Sequence, residues 1–224
     1  PEITLVDFSI DFNRVPKLAT KSDSGDLRLN MGPYANARLN GDLNDIPETF
    51  TVTHTGGSAG NETVEVTSTL PDLDGIMHIY TQTYDGIKKL MIEGGEGNDN
   101  IIVNGVQSPI EISGGAGVDT IDLTGSTGNA VIHGDAGNDT ITGGDGNDVI
   151  FGDGDTLGDT YADAVIAGND SKDIIHGGAD NDIIFGAGGD DEIWGDAGDD
   201  ILIGDAGSVA LTDGFGAWTI DWTK

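Results

Sequence analysis

Eight aspartates recur at one position of a nine-residue frame: Asp99, Asp119, Asp139, Asp148, Asp173, Asp182, Asp191 and Asp200. Each stands in a glycine-rich stretch, as in Gly134–Phe151, which reads GDAGNDTIT followed by GGDGNDVIF. A carboxylate set among glycines suits cation chemistry. Glycine has no Cβ, so its backbone carbonyls can approach a ligand closely. Carboxylates and carbonyls together give the all-oxygen set that calcium takes, six to eight at a time and in irregular geometry. The plainer use of such an aspartate is to cap its own turn by side-chain hydrogen bonding. Capping alone does not require a carboxylate at the same position eight times.

The elements that must position these groups follow from the frame. Its starts fall at Gly94, Gly114, Gly134, Gly143, Gly152, Gly168, Gly177, Gly186, Gly195 and Gly204. The sixth position is Asp in all but two, where Leu157 and Val209 stand. The eighth position is Ile or Leu in nine of the ten: Ile101, Ile121, Ile141, Ile150, Ile175, Ile184, Ile193, Leu202 and Leu211. Six residues of turn chemistry therefore precede three of strand chemistry. A unit this short buries nothing alone and is stable only when stacked on its copies.

The units resemble the G-G-x-G-x-D-x-U-x nonapeptide of the RTX (repeats in toxin) family, most closely in Gly94–Ile102, Gly114–Asp122 and Gly143–Phe151. The resemblance covers roughly half of the chain. It implies an all-β fold, a right-handed parallel β-roll (a β-solenoid) in which two nonapeptides make one turn. Loops on one edge then come from repeats eighteen residues apart, with calcium between stacked loops. The ligands it implies are the eight aspartates with carbonyls of their loops, at Gly94, Gly95, Gly97, Gly114, Gly115, Gly117, Gly134, Gly137, Gly143, Gly144, Gly146, Gly177, Gly178, Gly186, Gly195 and Gly198. Ser171 and Asp180 stand where the pattern has glycine. Roughly six to eight ions would offset much of the repeat charge. In that family the repeats serve type I secretion, unfolded in a calcium-poor cytoplasm and folded outside, which implies a secreted or cell-surface protein.

Charge agrees with a cation-dependent fold. The 224 residues carry a net charge of −31. From Glu93 onward 27 Asp and Glu face only Lys172 and Lys224, so most of the excess lies in the repeats. Such density repels itself in a compact state unless cations neutralise it. It also argues against a nucleic-acid partner, which needs a basic surface. An acidic run often reads as a disordered tail. The periodic Ile and Leu oppose that reading once cations are present, while the metal-free repeats are expected to be largely unfolded. There is no cysteine, hence no disulfide framework. No transmembrane run, signal peptide or lipidation motif appears. The start at Pro1 reads as a processed or excised chain.

Three regions are expected: 1–90 as a β-rich lead-in, 91–207 as the roll, and 208–224 as a cap. In the lead-in an apolar opening, Ile3–Ile10, precedes short alternating runs at Leu27–Leu29, Ala37–Leu39, Phe50–Thr53, Val64–Thr67, Met77–Tyr80 and Lys89–Ile92. These read as strands, either irregular first rungs of the roll or a separate β-sandwich. Between Gly94 and His133 the motif recurs every twenty residues, and the half-turns Val103–Ser113 and Leu123–His133 lack it. Calcium loops should line one edge there and both edges from Gly134. Asp148 and Asp173 are twenty-five apart, read as eighteen plus seven, with the extra residues bulging within Asp153–Ala167. That acidic bulge either completes a site or is an insertion tolerated at a turn. The last segment gains Phe215, Trp218 and Trp222. It reads as a cover for the open end, or as a contact surface for a neighbouring domain.

Other chemistry finds little support. H-E-x-x-H is absent, and His54, His78, His133 and His176 are isolated, which favours rung surfaces over zinc ligation. Gly56–Gly60 matches G-x-S-x-G, but no helix pattern follows, so it reads as a turn. No phosphate loop or dinucleotide fingerprint occurs. Asn61-Glu62-Thr63 is a glycosylation sequon in form only. Regular T-x-T ice-binding ladders are not visible in the repeats. The expected function is a non-catalytic calcium-binding module, not an enzyme, of a larger secreted or cell-surface bacterial protein such as an adhesin or toxin-like exoprotein. Its partners would be calcium and other domains of a longer chain. The alternatives are the accessory part of a secreted hydrolase whose catalytic domain lies elsewhere, and a ligand- or carbohydrate-binding role for residues 1–90.

Overall fold

The computed structural model describes residues 15–38, 43–71, 75–153, 172–187, 190–205, 208–211 and 218–221. The opening run before residue 15, most of the bulge with Leu157, Gly168 and Ser171, and Phe215 and Trp222 lie outside these. In chain order come β1 (Ala19–Lys21), β2 (Asp26–Leu29), a 3₁₀ helix (Gly32–Arg38), β3 (Thr49–Ser58), β4 (Asn61–Pro71), β5 (Met77–Ile87) and β6 (Lys89–Glu96). Then follow β7 (Asn100–Asn104), β8 (Ile110–Ala116), β9 (Thr120–Asp122), β10 (Ala130–Ala136), β11 (Thr140–Thr142) and β12 (Val149–Asp153). Beyond the bulge are β13 (Ile174–Ala179), β14 (Ile183–Ala187), β15 (Glu192–Ala197), β16 (Ile201–Asp205), β17 (Ser208–Leu211) and β18 (Trp218–Asp221). The described chain is all-β apart from the one short helix. The strand expected at Ala37–Leu39 is not formed: Ala37 and Arg38 end that helix, where Arg38 turns inward to a buried carboxylate.

Strands β6 to β16 alternate between two sheets. One runs β1-β2-β6-β8-β10-β12-β14-β16 and the other β15-β13-β11-β9-β7-β3-β4-β5. Pairing is parallel throughout the repeats. The lead-in joins the same sheets, β2 beside β6 and β3 beside β7, both parallel. β3, β4 and β5 then extend the second sheet as an antiparallel meander. Each strand alternates inward and outward side chains. The inward residues Ile101, Ile121, Ile141, Ile150, Ile175 and Ile184 are at most 1% exposed and belong to one continuous core. At the far end the series weakens, Ile193 being partly buried and Leu202 44% exposed. Val209 and Leu211 lie on β17, which pairs only with β18, so the tenth nonapeptide leaves both sheets.

Register fixes the size of the insertion. Val149 pairs with Ile183 and Thr140 with Ile174, thirty-four residues apart in both sheets. One ordinary turn takes eighteen, so sixteen residues are inserted rather than seven. Asp148 and Asp173 lie in opposite loops, and their separation is nine plus sixteen. The sequence interval alone does not reveal which loop a residue joins, and the pairing does.

Outward rings also stack in register. His133, Phe151 and Phe185 form a column with centroids 4.6 and 4.9 Å apart, and His176 lies 4.5 Å from Trp194. Both histidines are rung-surface residues. Phe151, Phe185, Ile183 and Ile203 make a second apolar cluster, on outward positions the nonapeptide pattern leaves unspecified.

Core truncation should cost what a filled interior dictates. Ile141→Ala is expected to lower the stability of the cation-loaded protein by about 2–5 kcal/mol. Val118→Ala, at a side chain 54% exposed, should change it by less than about 0.5 kcal/mol. Denaturant unfolding of both variants checks this.

Candidate metal centre

Two sets of loops connect the sheets, and each places its aspartates in a column. On the first edge, where the chain passes from the first sheet to the second, the backbone N–H of Asp99 donates to Asp119 Oδ1 at 2.8 Å. Asp119 donates likewise to Asp139, Asp139 to Asp173, and Asp173 to Asp191, at 2.8, 2.8 and 3.0 Å. On the second edge Ala130 donates to Asp148 Oδ1 at 2.8 Å, Asp148 to Asp182 at 2.9 Å, and Asp182 to Asp200 at 3.1 Å. All eight sequence-predicted aspartates thus fall into two ladders. One edge carries them before Gly134 and both edges after it. Each carboxylate is tied by one oxygen to the previous rung.

The other oxygen has no such tie. Among the described residues, Oδ2 of Asp99, Asp119, Asp139 and Asp182 is buried without a hydrogen-bond partner. In Asp148 the same atom accepts from Gly144 N–H at 2.8 Å. A buried polar atom left unpaired costs about 1–3 kcal/mol, and more when charged. Four in one small protein call for a proton or a cation.

The glycines bring backbone close to these oxygens. A Cβ built on Gly94 would lie 2.8 Å from Asp99 Oδ2, and one on Gly114, Gly134 or Gly143 would lie 2.7, 2.6 or 2.8 Å from its own loop's aspartate. Gly177, Gly186 and Gly195 face Asp182, Asp191 and Asp200 still more closely. Carbonyls of the next rung crowd the same space: Gly114 O over Gly94, Gly134 O over Gly114, Gly152 O over Gly134, and Gly177 O over Gly143. Gly95, Gly115 and Gly117 take φ of 96°, 106° and 150°, and Gly97, Gly137 and Gly178 lie in the same region. Only the side-chain-free residue enters that conformation freely. Gly144, Gly146 and Gly198 pack against carbonyls of Ser126, Gly128 and Asp180. Where the repeat lacks glycine, Asp135, Asp180 and Asp196 take φ of 66–73° themselves, which aspartate tolerates better than most residues.

Gly152 faces Asp173: a Cβ there would lie 2.5 Å from Asp173 Oδ2. The inserted residues thus fall between Gly152 and Asp173, and the frame start expected at Gly168 lies outside the described residues.

Burial and mutual repulsion oppose ionisation along both ladders. Burial, with the neighbouring carboxylates of Asp119 and Asp45, pushes Asp99 up to about 7, against a partial pull from Arg38. Burial pushes Asp139 up to about 8, with Asp119, Asp173 and Asp135 adding to it. Asp182 rises to about 7 and Asp148 to about 6, again chiefly by burial. Asp119 is raised for the same reason. Glu62 is the contrast. It is wholly buried, and burial opposes its charge, but contacts from Ser108, Gln107 and His54 outweigh this and hold it below the usual carboxylate value. Its oxygens accept from Gln107 N–H at 2.9 Å and Ser108 N–H at 2.6 Å. A satisfied buried carboxylate needs no cation, and the ladder aspartates are not satisfied.

The donor set is entirely oxygen. No group of three or more His, Cys, Asp or Glu side chains that could hold a metal occurs among the described residues. Side chains alone do not make a site here, so backbone carbonyls must supply the rest, which suits a hard cation such as calcium.

Several participants carry no signal in the repeat pattern. Asn98, Asn138, Asn147 and Asn181 accept backbone N–H groups of adjoining rungs through their side-chain oxygens. They directly precede Asp99, Asp139, Asp148 and Asp182 in the sequence, where asparagine reads as turn composition only. Ser126 bridges rungs on the second edge before its aspartates begin, donating to Val103 O at 2.9 Å and accepting from Val106 N–H. The first edge starts in a protein-borne cation. Glu48 N–H donates to Asp99 Oδ1 at 2.7 Å, Glu48 Oε2 accepts from Gly32 N–H at 2.8 Å, and buried Arg38 pairs with Glu48. Nothing in the spacing of Arg38 and Glu48 predicts this plug.

Two expectations follow. Because the folded pKa values lie above the ordinary 3.8, the metal-free folded chain holds protons that the unfolded chain has lost. Its stability is therefore greatest below the ordinary carboxylate value and falls as pH rises through about 6–8. Circular dichroism of metal-free protein should show more β-structure at pH 5 than at pH 8, and the calcium midpoint should move to higher concentration on acidification. Arg38→Met should destabilise by about 3–5 kcal/mol, as loss of one partner of a buried pair does. Arg38→Met with Glu48→Leu should recover part of that loss in the same unfolding measurement.

A sequence model described as RTX calcium-binding nonapeptide repeat (4 copies) matches residues 124–156, 160–193 and 182–209. No curated protein and no solved structure matches the chain. Within residues 124–209 this chain carries RTX calcium-binding nonapeptide repeats.

Proposed function

We propose that the chain is a non-catalytic calcium-binding module of a larger secreted or cell-surface bacterial protein, such as an adhesin or toxin-like exoprotein, and that it folds on meeting extracellular calcium. In this reading the two parallel sheets form a right-handed β-roll. Several ions lie along its two edges, held by the eight ladder aspartates and by carbonyls of their glycine loops. The family match and the parallel register support the reading. No described helix is long and apolar enough to cross a membrane.

One observation carries it: the row of buried Oδ2 atoms facing glycine carbonyls without a hydrogen-bond partner. Calcium on that row would supply the positive charge the carboxylates lack and replace their protons. Each carboxylate also binds the previous rung through Oδ1, so ordering one loop orders its neighbour. Binding energy then becomes folding energy.

Calcium titration followed by circular dichroism tests this. The expected result is coil-to-β conversion with calcium and little with magnesium, which keeps its water and demands octahedral geometry. Asp182→Ala should shift the calcium midpoint upward, and Asp23→Ala, at an exposed site in the lead-in, should not. Full β-structure after exhaustive chelation at pH 8, or equal shifts in the two variants, would overturn the assignment.

A further inference from the structure

The second sheet exposes a face that the repeat chemistry does not use. On β3, β4 and β5 the inward residues are Phe50, Val52, Val64 and Val66 of the core, with Tyr80 and Tyr84 packed against it. The outward positions are largely threonine. Register aligns Thr81 with Thr67 and Thr67 with Thr51, and beside them Thr69 lies opposite Ile79. The rows continue across the parallel strands. Thr49 pairs with Asn100, Asn100 with Thr120, and Thr120 with Thr140. Twelve of the chain's 21 threonines take outward positions on β3, β4, β5, β7, β9 and β11.

Strand propensity does not account for this. Threonine favours any exposed strand position, and the first sheet has such positions too. Its outward positions on β2, β6, β8, β10 and β12 hold Arg28, Lys89, Glu93, Glu111, His133 and Phe151 among others, and no threonine; Thr20 on β1 is the exception among the described residues of that sheet. The two outer faces are thus built differently.

We propose that the threonine face of the second sheet binds the surface of ice. Each threonine presents a methyl and a hydroxyl from a side chain stiff at χ1. Strand pairing repeats them about 4.7–4.9 Å apart across strands and about 6.6–6.8 Å apart along them. Such a lattice suits a flat, periodic, hydrogen-bonding solid rather than a small ligand, which takes a concave site. Charge complementarity points the same way. In a chain of net charge −31 these six strands turn outward no Lys or Arg and only Glu65, Asp85 and Asp122, which suits an uncharged partner. A crystalline polysaccharide is also flat and uncharged, but sugar rings are gripped by stacking on aromatic rings, and no aromatic residue faces outward on these six strands; Trp194, already stacked on His176, lies beyond them on β15. The hydroxyls of Thr67 and Thr81 hydrogen-bond each other at 3.0 Å, which holds neighbouring members of the lattice in place.

The test uses the full chain with calcium, in solution from which ice is grown slowly. Wild-type protein should concentrate in the ice fraction. Thr81→Tyr and Thr140→Tyr, both at exposed sites on this face, should lose that enrichment, while Val131→Tyr on the first sheet should keep it. Circular dichroism of each variant with calcium confirms an unchanged fold, which separates failure of this proposal from failure of the calcium reading. Exclusion of wild-type protein from ice would overturn it. So would undiminished enrichment of both threonine variants, or binding to microcrystalline cellulose or chitin in place of ice.

Discussion

The structure depends on a carboxylate that is half satisfied. In each ladder one aspartate oxygen closes a hydrogen bond between rungs, and in several rungs the second has no hydrogen-bond partner. The bonded oxygen fixes the stacking. The other is left for a proton or a cation to satisfy. Removing the carboxylate altogether would abolish the bridge, and satisfying both oxygens with protein donors would abolish that need. Glu62 shows that the same fold can build the second arrangement where no dependence is wanted.

The ends of the ladders differ in the same terms. At the start of the first edge the positive charge is supplied covalently, by Arg38 held against Glu48 and stacked over Phe50. At the far end the core thins, with Leu202 exposed. The N-terminal strands pair with the first repeat strands in both sheets. They offer a finished template on which the next turn can lay its backbone, whereas the last turns have a partner on one side only.

Much of this was legible before any coordinates. The nonapeptide placed the aspartates in loops and the isoleucines inward because both repeat with a period that the fold obeys. Asp99 to Asp119 and Asp182 to Asp200 give the loop spacing directly. What escaped the pattern is what does not repeat. Arg38 and Glu48 meet through a helix in a stretch that reads as strand. The insertion was undersized because Asp148 and Asp173 are neighbours in sequence but occupy opposite edges. The threonine rows were hidden because a row is written across strands from Thr51, Thr67 and Thr81, not along the repeats, where such ladders do not appear.

The insertion itself has a practical corollary. Sixteen residues enter between Gly152 and Asp173, yet both sheets resume with the same offset and the carboxylate column closes over the gap at 2.8 Å. The length of the segment between Gly152 and Asp173 is therefore decoupled from the spacing of the strands on either side, which continue across it in register.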